Sequence, residues 1–188
     1  MMITTNLEIA AWSGDGGTAL VRRVEQGPEG GGRLVWLVVN AAGTRAWVLS
    51  SDLSPGDGST PQTVSEKACR SAAKELATRL ASFDGVKVRA EKCAGDRGAV
   101  LEIAPATAER AANSFSPVGT EVKRLGKTLR VIREGLEVEI VKVDHRAKDI
   151  AWASAGPLVL VIERGEHADA LLAAVVQTPK GLVTVPVE

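Results

Sequence analysis

The sequence is poor in the residues that most binding and catalytic chemistry requires. Its 188 residues include no tyrosine, two histidines, two cysteines and only 3% aromatic side chains. Aromatic side chains are the stacking platforms of proteins that bind single-stranded nucleic acid. Lys and Arg together number 23, as do Asp and Glu, so the formal net charge is zero and no electrostatic excess draws the chain to nucleic acid or to an anionic membrane. We therefore predict no nucleic-acid partner.

Long apolar runs are also absent. No stretch reaches the roughly 18 apolar residues of a membrane-spanning helix, so we predict no membrane insertion. The N-terminal sequence MMITTNLEIAAW lacks the basic segment and apolar run of a signal peptide. Two locations stay open: exported or periplasmic, with the leader absent from this chain, or cytoplasmic.

One segment, from Thr63 to Phe83, is typical of a long amphipathic helix. Thr63 and Glu66 fit a capping box, in which each side chain satisfies a backbone donor of the first turn. Apolar residues then recur at helical spacing, at Cys69, Ala72, Ala73, Leu76, Leu80 and Phe83. A second, shorter helix is predicted over Pro105 to Ser114, with proline in its first turn.

Alternating apolar residues on either side of these helices predict antiparallel strands joined by tight turns. Residues 1–53 and 116–188 are each expected to form a β-meander, and residues 54–115 a helix-strand-strand-helix insertion. With 45% hydrophobic residues the chain has enough apolar surface for a core. We predict one α+β domain over residues 1–188.

The two ends of the chain contain similar stretches. Ile9 to Val21 reads IAAWSGDGGTALV, and Asp149 to Val161 reads DIAWASAGPLVLV. In each, Trp is followed by Gly four positions on, at Gly16 and Gly156, and by Leu-Val eight and nine positions on. Two interpretations stay open: one sheet unit used twice, or a similarity that follows from shared composition.

The stretch WSGDGGTALV resembles the start of a β-propeller blade of the TolB or WD-repeat type, over residues 9–49 and 149–178. The chain loosely resembles predicted secreted bacterial proteins of unknown function, which implies no activity. A closed propeller needs at least four blades of about 40 residues. The resemblance therefore implies one or two sheets of propeller-like hairpins, with the helical insertion between them.

The two cysteines are candidates for a disulfide. Helix, turn and strand fold back on one another between Cys69 and Cys93, so the two sulfurs could meet. Cys93 shares its alternation phase with charged residues, which favours two unlinked thiols. Both interpretations stay open, and the absence of Cys-x-x-Cys argues against redox catalysis.

No other pattern predicts catalysis, a metal or a cofactor. His145 and His167 are expected to be exposed turn residues, since no spacing aims two ligands at one point. Gly-Asp-Gly-x-Thr occurs at Gly14 to Thr18 and at Gly56 to Thr60, and without the lysine of a P-loop it is interpreted as a turn. Glu137 and Glu139 share one strand face and are expected to be solvated.

We therefore predict a non-catalytic bacterial module, structural or protein-binding, that presents loops or a sheet face to a protein partner or to a second copy. Loops on a rigid scaffold concentrate binding residues, so the contact loops are expected at Gln26 to Gly32 and Ser50 to Gln62. The candidate contact residues are Glu29, Arg33, Asp52 and Asp57. The alternative is a small enzyme or ligand-binding protein with a pocket between helix and sheet, using Asp52, Asp57 and His145.

Overall fold

The computed structural model describes residues 4–28, 32–47, 66–89, 100–103, 109–114, 119–141 and 149–187. Within these ranges lie fourteen strands and one helix. In chain order they are β1 Thr4–Trp12, β2 Ala19–Gln26, β3 Gly32–Asn40, β4 Gly43–Trp47, α1 Glu66–Leu80, β5 Val86–Arg89, β6 Val100–Ile103, β7 Arg110–Ala111, β8 Thr120–Leu125, β9 Thr128–Arg133, β10 Leu136–Val141, β11 Asp149–Ser154, β12 Leu158–Arg164, β13 Ala170–Thr178 and β14 Gly181–Val185.

The α+β class predicted from the sequence is wrong, because antiparallel sheets make up most of the described residues. A long helix was expected to organise the fold. Among the side chains of α1 whose exposure is described, only Leu80 is buried. Among the described side chains, the strands contribute most of the core.

The predicted short helix over Pro105 to Ser114 is also wrong where the structure describes it. Arg110–Ala111 form β7, which pairs antiparallel with β11. The N–H of Ala112 donates to the carbonyl of Ile150 at 2.8 Å, and the N–H of Asn113 to that of Val122 at 2.7 Å. These donors bond across strands and not four residues back, so no helical turn forms.

The chain divides into two compact units. Unit 1 comprises Met1–Gly14, Ala19–Val38 and Arg45–Ala106, and unit 2 comprises Asp15–Thr18, Val39–Thr44 and Thr107–Glu188. Unit 1 contains β1, β2 and most of β3 and β4, which form a sheet in the order β1-β2-β3-β4. One face of that sheet packs against the end of α1 and the chain after it, in a buried cluster of Ala10, Ala11, Leu20, Trp36, Val38, Leu80 and Phe83.

Unit 2 is a sandwich of two antiparallel sheets. One has three strands, in the order β10-β9-β8, and the other has five, in the order β14-β13-β12-β11-β7. Their facing sides share one buried cluster, to which the first contributes Val122, Leu129 and Val131 and the second contributes Ile150, Trp152, Val159, Val161, Ala173 and Val175.

The meander predicted for residues 1–53 is present as β1–β4, and the range 116–188 forms two meanders in separate sheets, β8–β10 and β11–β14. Both β1–β4 and β11–β14 end in a two-residue hairpin followed by a glycine with positive φ, Gly43 at 122° and Gly181 at 126°. In each hairpin the last side chain before the turn accepts a backbone N–H from two residues later. The N–H of Ala42 lies 2.9 Å from Asn40 Oδ1, and the N–H of Lys180 lies 3.2 Å from Thr178 Oγ1.

The first hairpins of the two meanders differ in register, despite their similar sequences. Trp12 lies opposite Ala19, whereas Trp152 lies opposite Val161. The two stretches therefore share their order of strands and their kind of turn, but residues at corresponding positions pair differently across the hairpin.

Candidate functional site

Most residues predicted to carry function lie outside the described part of the chain: Glu29, Asp52, Asp57, Cys93 and His145. Arg33 lies in β3 and Cys69 in α1, but their side chains are outside it as well. The disulfide, the contact loops and the alternative pocket therefore stay predictions. His167 is described and is exposed in the turn between β12 and β13, as expected.

The three-stranded sheet of unit 2 has one face in the core and one that we call the outer face. Antiparallel sheets commonly have this division. Register and burial assign eight alternating residues to the outer face: Glu121, Lys123 and Leu125 of β8, Thr128, Arg130 and Ile132 of β9, and Glu137 and Glu139 of β10. Glu137 and Glu139 are exposed, which confirms the expectation that they are solvated.

Charge on the outer face is arranged in cross-strand rows. Glu121, Ile132 and Glu137 form one row, so an apolar side chain stands between two carboxylates. Lys123, Arg130 and Glu139 form the next row, and Leu125, with 56% of its surface exposed, lies beyond it.

Two ion pairs connect these rows. Arg130 Nη1 lies 3.2 Å from Glu137 Oε1, and Lys123 Nζ lies 3.9 Å from Glu121 Oε1. All four side chains are partly exposed, and exposed pairs contribute about 0–1 kcal/mol. The pairs therefore orient the charges more than they stabilise the fold.

At one end of unit 2 three turns meet in what we call the turn junction, comprising Asp15–Thr18, Arg133–Gly135 and Ala155–Pro157 together with Gln177. Arg133 Nη1 donates to the carbonyl of Gly156. The N–H of Gln177 donates to the carbonyl of Pro157 at 2.8 Å, and its Nε2 donates to Glu134 Oε2 at 3.1 Å. The side chain of Arg133 and the backbone N–H of Gln177 thus both bond to the backbone of the β11–β12 turn.

The two glycines of the repeated sequence pattern touch in this junction. A Cβ on Gly16 would lie 2.5 Å from the backbone N of Gly156, and a Cβ on Gly156 would lie 2.4 Å from the carbonyl O of Asp15. Real Cβ atoms do not approach backbone so closely, so both positions require glycine. The carboxylate of Asp15 accepts the N–H of Gly17 at 2.9 Å, which supports the interpretation of this segment as a turn.

Arg133 and Thr120 are functional candidates that the sequence analysis missed. Arg133 is 8% exposed and Thr120 is fully buried, and they lie opposite each other on β9 and β8. The signal was present, because Arg133 shares its alternation phase with buried Leu129 and Val131. A charged residue at an apolar position of a strand is unusual and marks a special environment.

Neither a metal cluster nor a membrane-spanning helix occurs within the described ranges. No three of the His, Cys, Asp and Glu residues in them lie closely enough together to hold one metal ion. Their single helix does not have the length and apolarity needed to cross a membrane.

Comparison with known proteins finds no matching protein-family model, curated protein or solved structure. The resemblance of residues 9–49 and 149–178 to β-propeller blades therefore stays a prediction.

Proposed function

We propose that this protein is a non-catalytic binding module whose outer face contacts a protein partner. One observation carries the proposal: a sheet face fixed by the core behind it displays apolar Leu125 and Ile132 among charges of both signs. Protein–protein contact patches combine apolar anchors with a polar, charged rim in this way.

The size of the outer face favours a transient partner. Three strands spaced about 4.8 Å apart and six residues rising about 3.4 Å each cover roughly 300 Å². Stable complexes bury about 800 Å² on each partner. A partner that contacts only this face binds weakly, and a tighter one has to contact surfaces beyond it.

Charge determines which partner fits. Lys123 and Arg130 lie side by side and favour a carboxylate opposite them, whereas Glu121 and Glu137 favour a cation opposite their own row. Such complementarity mainly raises the association rate and excludes wrong partners, and salt weakens it.

The test places a photo-crosslinking amino acid at Leu125 in cells of the native host. The matched control places it at Arg22, an exposed position of β2 that the outer face does not include. We expect a discrete adduct from position 125 and none from position 22. Identical adducts from both positions would contradict the proposal, as would their absence from both.

The partner identified in the adduct is then purified and its affinity measured. The double variant Lys123→Glu with Arg130→Glu is expected to weaken binding at least tenfold. Arg22→Glu reverses an exposed charge on β2 and is expected to leave affinity unchanged. Equal effects of the two changes would show that the outer face is not the contact surface.

A further inference from the structure

Strand β14 is an edge of the five-stranded sheet and, among the described strands, pairs only with β13. The N–H of Gln177 on β13 donates to the carbonyl of Pro157, away from β14, so Gln177 and Leu182 are a non-hydrogen-bonded pair. Such pairs alternate with hydrogen-bonded pairs along an antiparallel ladder. The N–H and C=O groups of Leu182 and Thr184 therefore point outward, and no described residue hydrogen-bonds to them. We call these four groups the open edge.

Two other edges of unit 2 are protected where β14 is not. Asn113 bonds to outward backbone groups of β8. Strand β10 carries Glu137 and Glu139, and charged side chains are a common protection of edge strands. The β14 sequence GLVTV contains no charged residue, and 49% of the Val183 surface is exposed. An uncharged edge strand with an exposed apolar side chain is a template for pairing with another chain.

The open edge is complementary to itself. When a second copy pairs antiparallel about a two-fold axis at Val183, Leu182 of each copy lies opposite Thr184 of the other. The outward groups then form four N–H···O=C bonds between the copies. The two Val183 residues become a non-hydrogen-bonded pair, with Cα atoms about 4.5 Å apart. Apolar β-branched side chains in such cross-strand pairs stabilise a sheet.

The chain on either side of the open edge ends the pairing there. Pro186 has no N–H, and its carbonyl accepts a bond from Thr44 Oγ1 at 3.4 Å. The N–H of Lys180 donates to Thr178 Oγ1 at 3.2 Å. In the two-fold arrangement Lys180 of one copy lies opposite Pro186 of the other, so the ladder does not continue. The register centred on Val183 therefore uses every group of the open edge.

We propose that two copies of this chain associate through β14, as an antiparallel pair centred on Val183 that joins their five-stranded sheets. The edge is short, whereas stable complexes bury about 800 Å² on each partner, so we expect a reversible dimer with a dissociation constant above about 1 µM. The association does not depend on the outer face, which belongs to the other sheet of unit 2. If the outer face binds a partner as proposed, the dimer presents that face twice, and a partner with two binding sites gains avidity.

The first test is sedimentation velocity at chain concentrations from about 1 µM to about 1 mM, which brackets the weak affinity of a small interface. We expect the average mass to rise from that of one chain towards that of two. A chain that stays monomeric throughout overturns the proposal.

Thr184→Pro tests the backbone bonds of the open edge. It removes an N–H that each copy donates, and it leaves the β13 ladder intact because that N–H points away from β13. We expect Tm to stay close to that of the wild type and the dimer to weaken about tenfold or more. A folded Thr184→Pro variant that associates as tightly as the wild type overturns the proposal.

A charge at position 183 tests the side-chain contact. Val183→Lys places two ammonium groups opposite each other, and we expect it to weaken the dimer about tenfold or more. The matched control is Leu125→Lys, which puts the same charge at the other exposed large apolar side chain of the described residues and is expected to associate as the wild type does. Loss of association in Leu125→Lys and its retention in Val183→Lys would place the contact on the outer face and overturn the proposal.

A disulfide tests the register. Cα atoms about 4.5 Å apart lie within the range that a disulfide spans, so Val183→Cys is expected to form a covalent dimer on mild oxidation. Wild type treated in the same way shows what Cys69 and Cys93 contribute. Leu125→Cys is expected to give no more covalent dimer than the wild type. Equal yields from Val183→Cys and Leu125→Cys would indicate random collision and overturn the proposed register.

Discussion

Asn113 takes the place of a neighbouring strand for part of the β8 edge. Its backbone N–H donates to the carbonyl of Val122 at 2.7 Å, and its Oδ1 accepts the N–H of Arg124 at 3.0 Å. Its φ of 67° lies in the left-handed region, which asparagine tolerates better than most residues. Because Ala112 also bonds to Ile150, this short segment is hydrogen-bonded to a strand of each sheet in unit 2.

Substitutions of Asn113 are expected to separate the contribution of its side-chain acceptor from that of its left-handed backbone conformation. Asn113→Gly keeps the backbone conformation and loses the side-chain acceptor, at a cost of about 1 kcal/mol. Asn113→Ala adds left-handed strain, for a total of about 2–3 kcal/mol. Asn113→Asp retains both features and is expected to be close to wild type. Urea denaturation measures all three, and equal costs for Gly and Ala would contradict the strain argument.

Gly156→Ala is expected to be far more damaging than Gly126→Ala. The new methyl at position 156 would lie 2.4 Å from the carbonyl O of Asp15, and backbone cannot yield as a side chain can. We expect a loss of about 3 kcal/mol. Gly126 has a φ of 63° and open space around it, so the same change there adds only about 1–2 kcal/mol of backbone strain. Thermal and urea unfolding of both variants measures the two losses of stability. Equal losses would show that the close contact between Gly156 and the Asp15–Gly16 backbone does not exclude a side chain at position 156.

Glu134→Asn is expected to stabilise the protein by about 0.5–1 kcal/mol. Glu134 and Gly135 have φ values of 50° and 78° and form a two-residue hairpin turn, in which Asn-Gly is the favoured pair. Among the described residues, the change removes one side-chain interaction, the exposed hydrogen bond that Gln177 donates to Glu134. The control is Glu137→Asn, the same change on an ordinary strand, which is expected to destabilise slightly. A decrease in stability at position 134 would refute the prediction.

Arg164→Met is expected to cost about 1–2 kcal/mol, and Arg130→Met no more than about 0.5 kcal/mol. Arg164 bonds to Glu109 and, at 2.6 Å, to Asp169, whose side chain is only 10% exposed. Removing the arginine leaves that carboxylate poorly solvated. Arg130 and its partner are both more than 40% exposed, so water replaces the interaction. The difference is measured by denaturation at low and high salt, and it is contradicted if the two variants are equally stable.

Trp12 and Trp152, which occupy the same place in the two similar stretches, are expected to respond differently to substitution by Phe. Trp152 Nε1 donates to the carbonyl of Ala111 at 3.2 Å, whereas the buried Nε1 of Trp12 has no partner among the described residues. Trp152→Phe therefore removes a hydrogen bond to a carbonyl that keeps a second donor, the N–H of Ser114 at 3.2 Å, whereas Trp12→Phe removes an unsatisfied donor. We expect Trp152→Phe to cost about 1–2 kcal/mol more. Unfolding followed by circular dichroism provides the values, and equal costs would show that the indole bond contributes nothing.

Alternation of apolar residues made individual strands such as β9 predictable. Leu129 and Val131 are apolar at every second position, and they lie in the core as that pattern requires. The segment Pro105 to Ser114 shows the limit of such patterns. Its alanines favour a helix by intrinsic propensity, but the N–H groups of Ala112 and Asn113 bond to strands distant in sequence. Helix propensity depends on the local sequence, whereas these hydrogen-bond partners are distant in the sequence and cannot be read from it.

The candidate sites were less accessible to sequence reasoning. Glu137 and Glu139 were correctly expected to be solvated, but nothing local indicates that they form one face with Leu125. Arg133 could have been found, since its phase on β9 places it with buried residues. The contact of Gly16 with Gly156 could not, because it depends on how two turns meet in the fold.

Unit 2 is discontinuous in sequence, and this affects how the protein is made. Asp15–Thr18 and Val39–Thr44 leave the ribosome early, but the groups they contact there, at Gly156 and Pro186, are synthesised near the end. A nascent chain cannot finish this unit until translation is almost complete. A genetic split after Ala106 would likewise deprive the second fragment of both early segments, so that fragment has to recombine with the first before it shows native spectra.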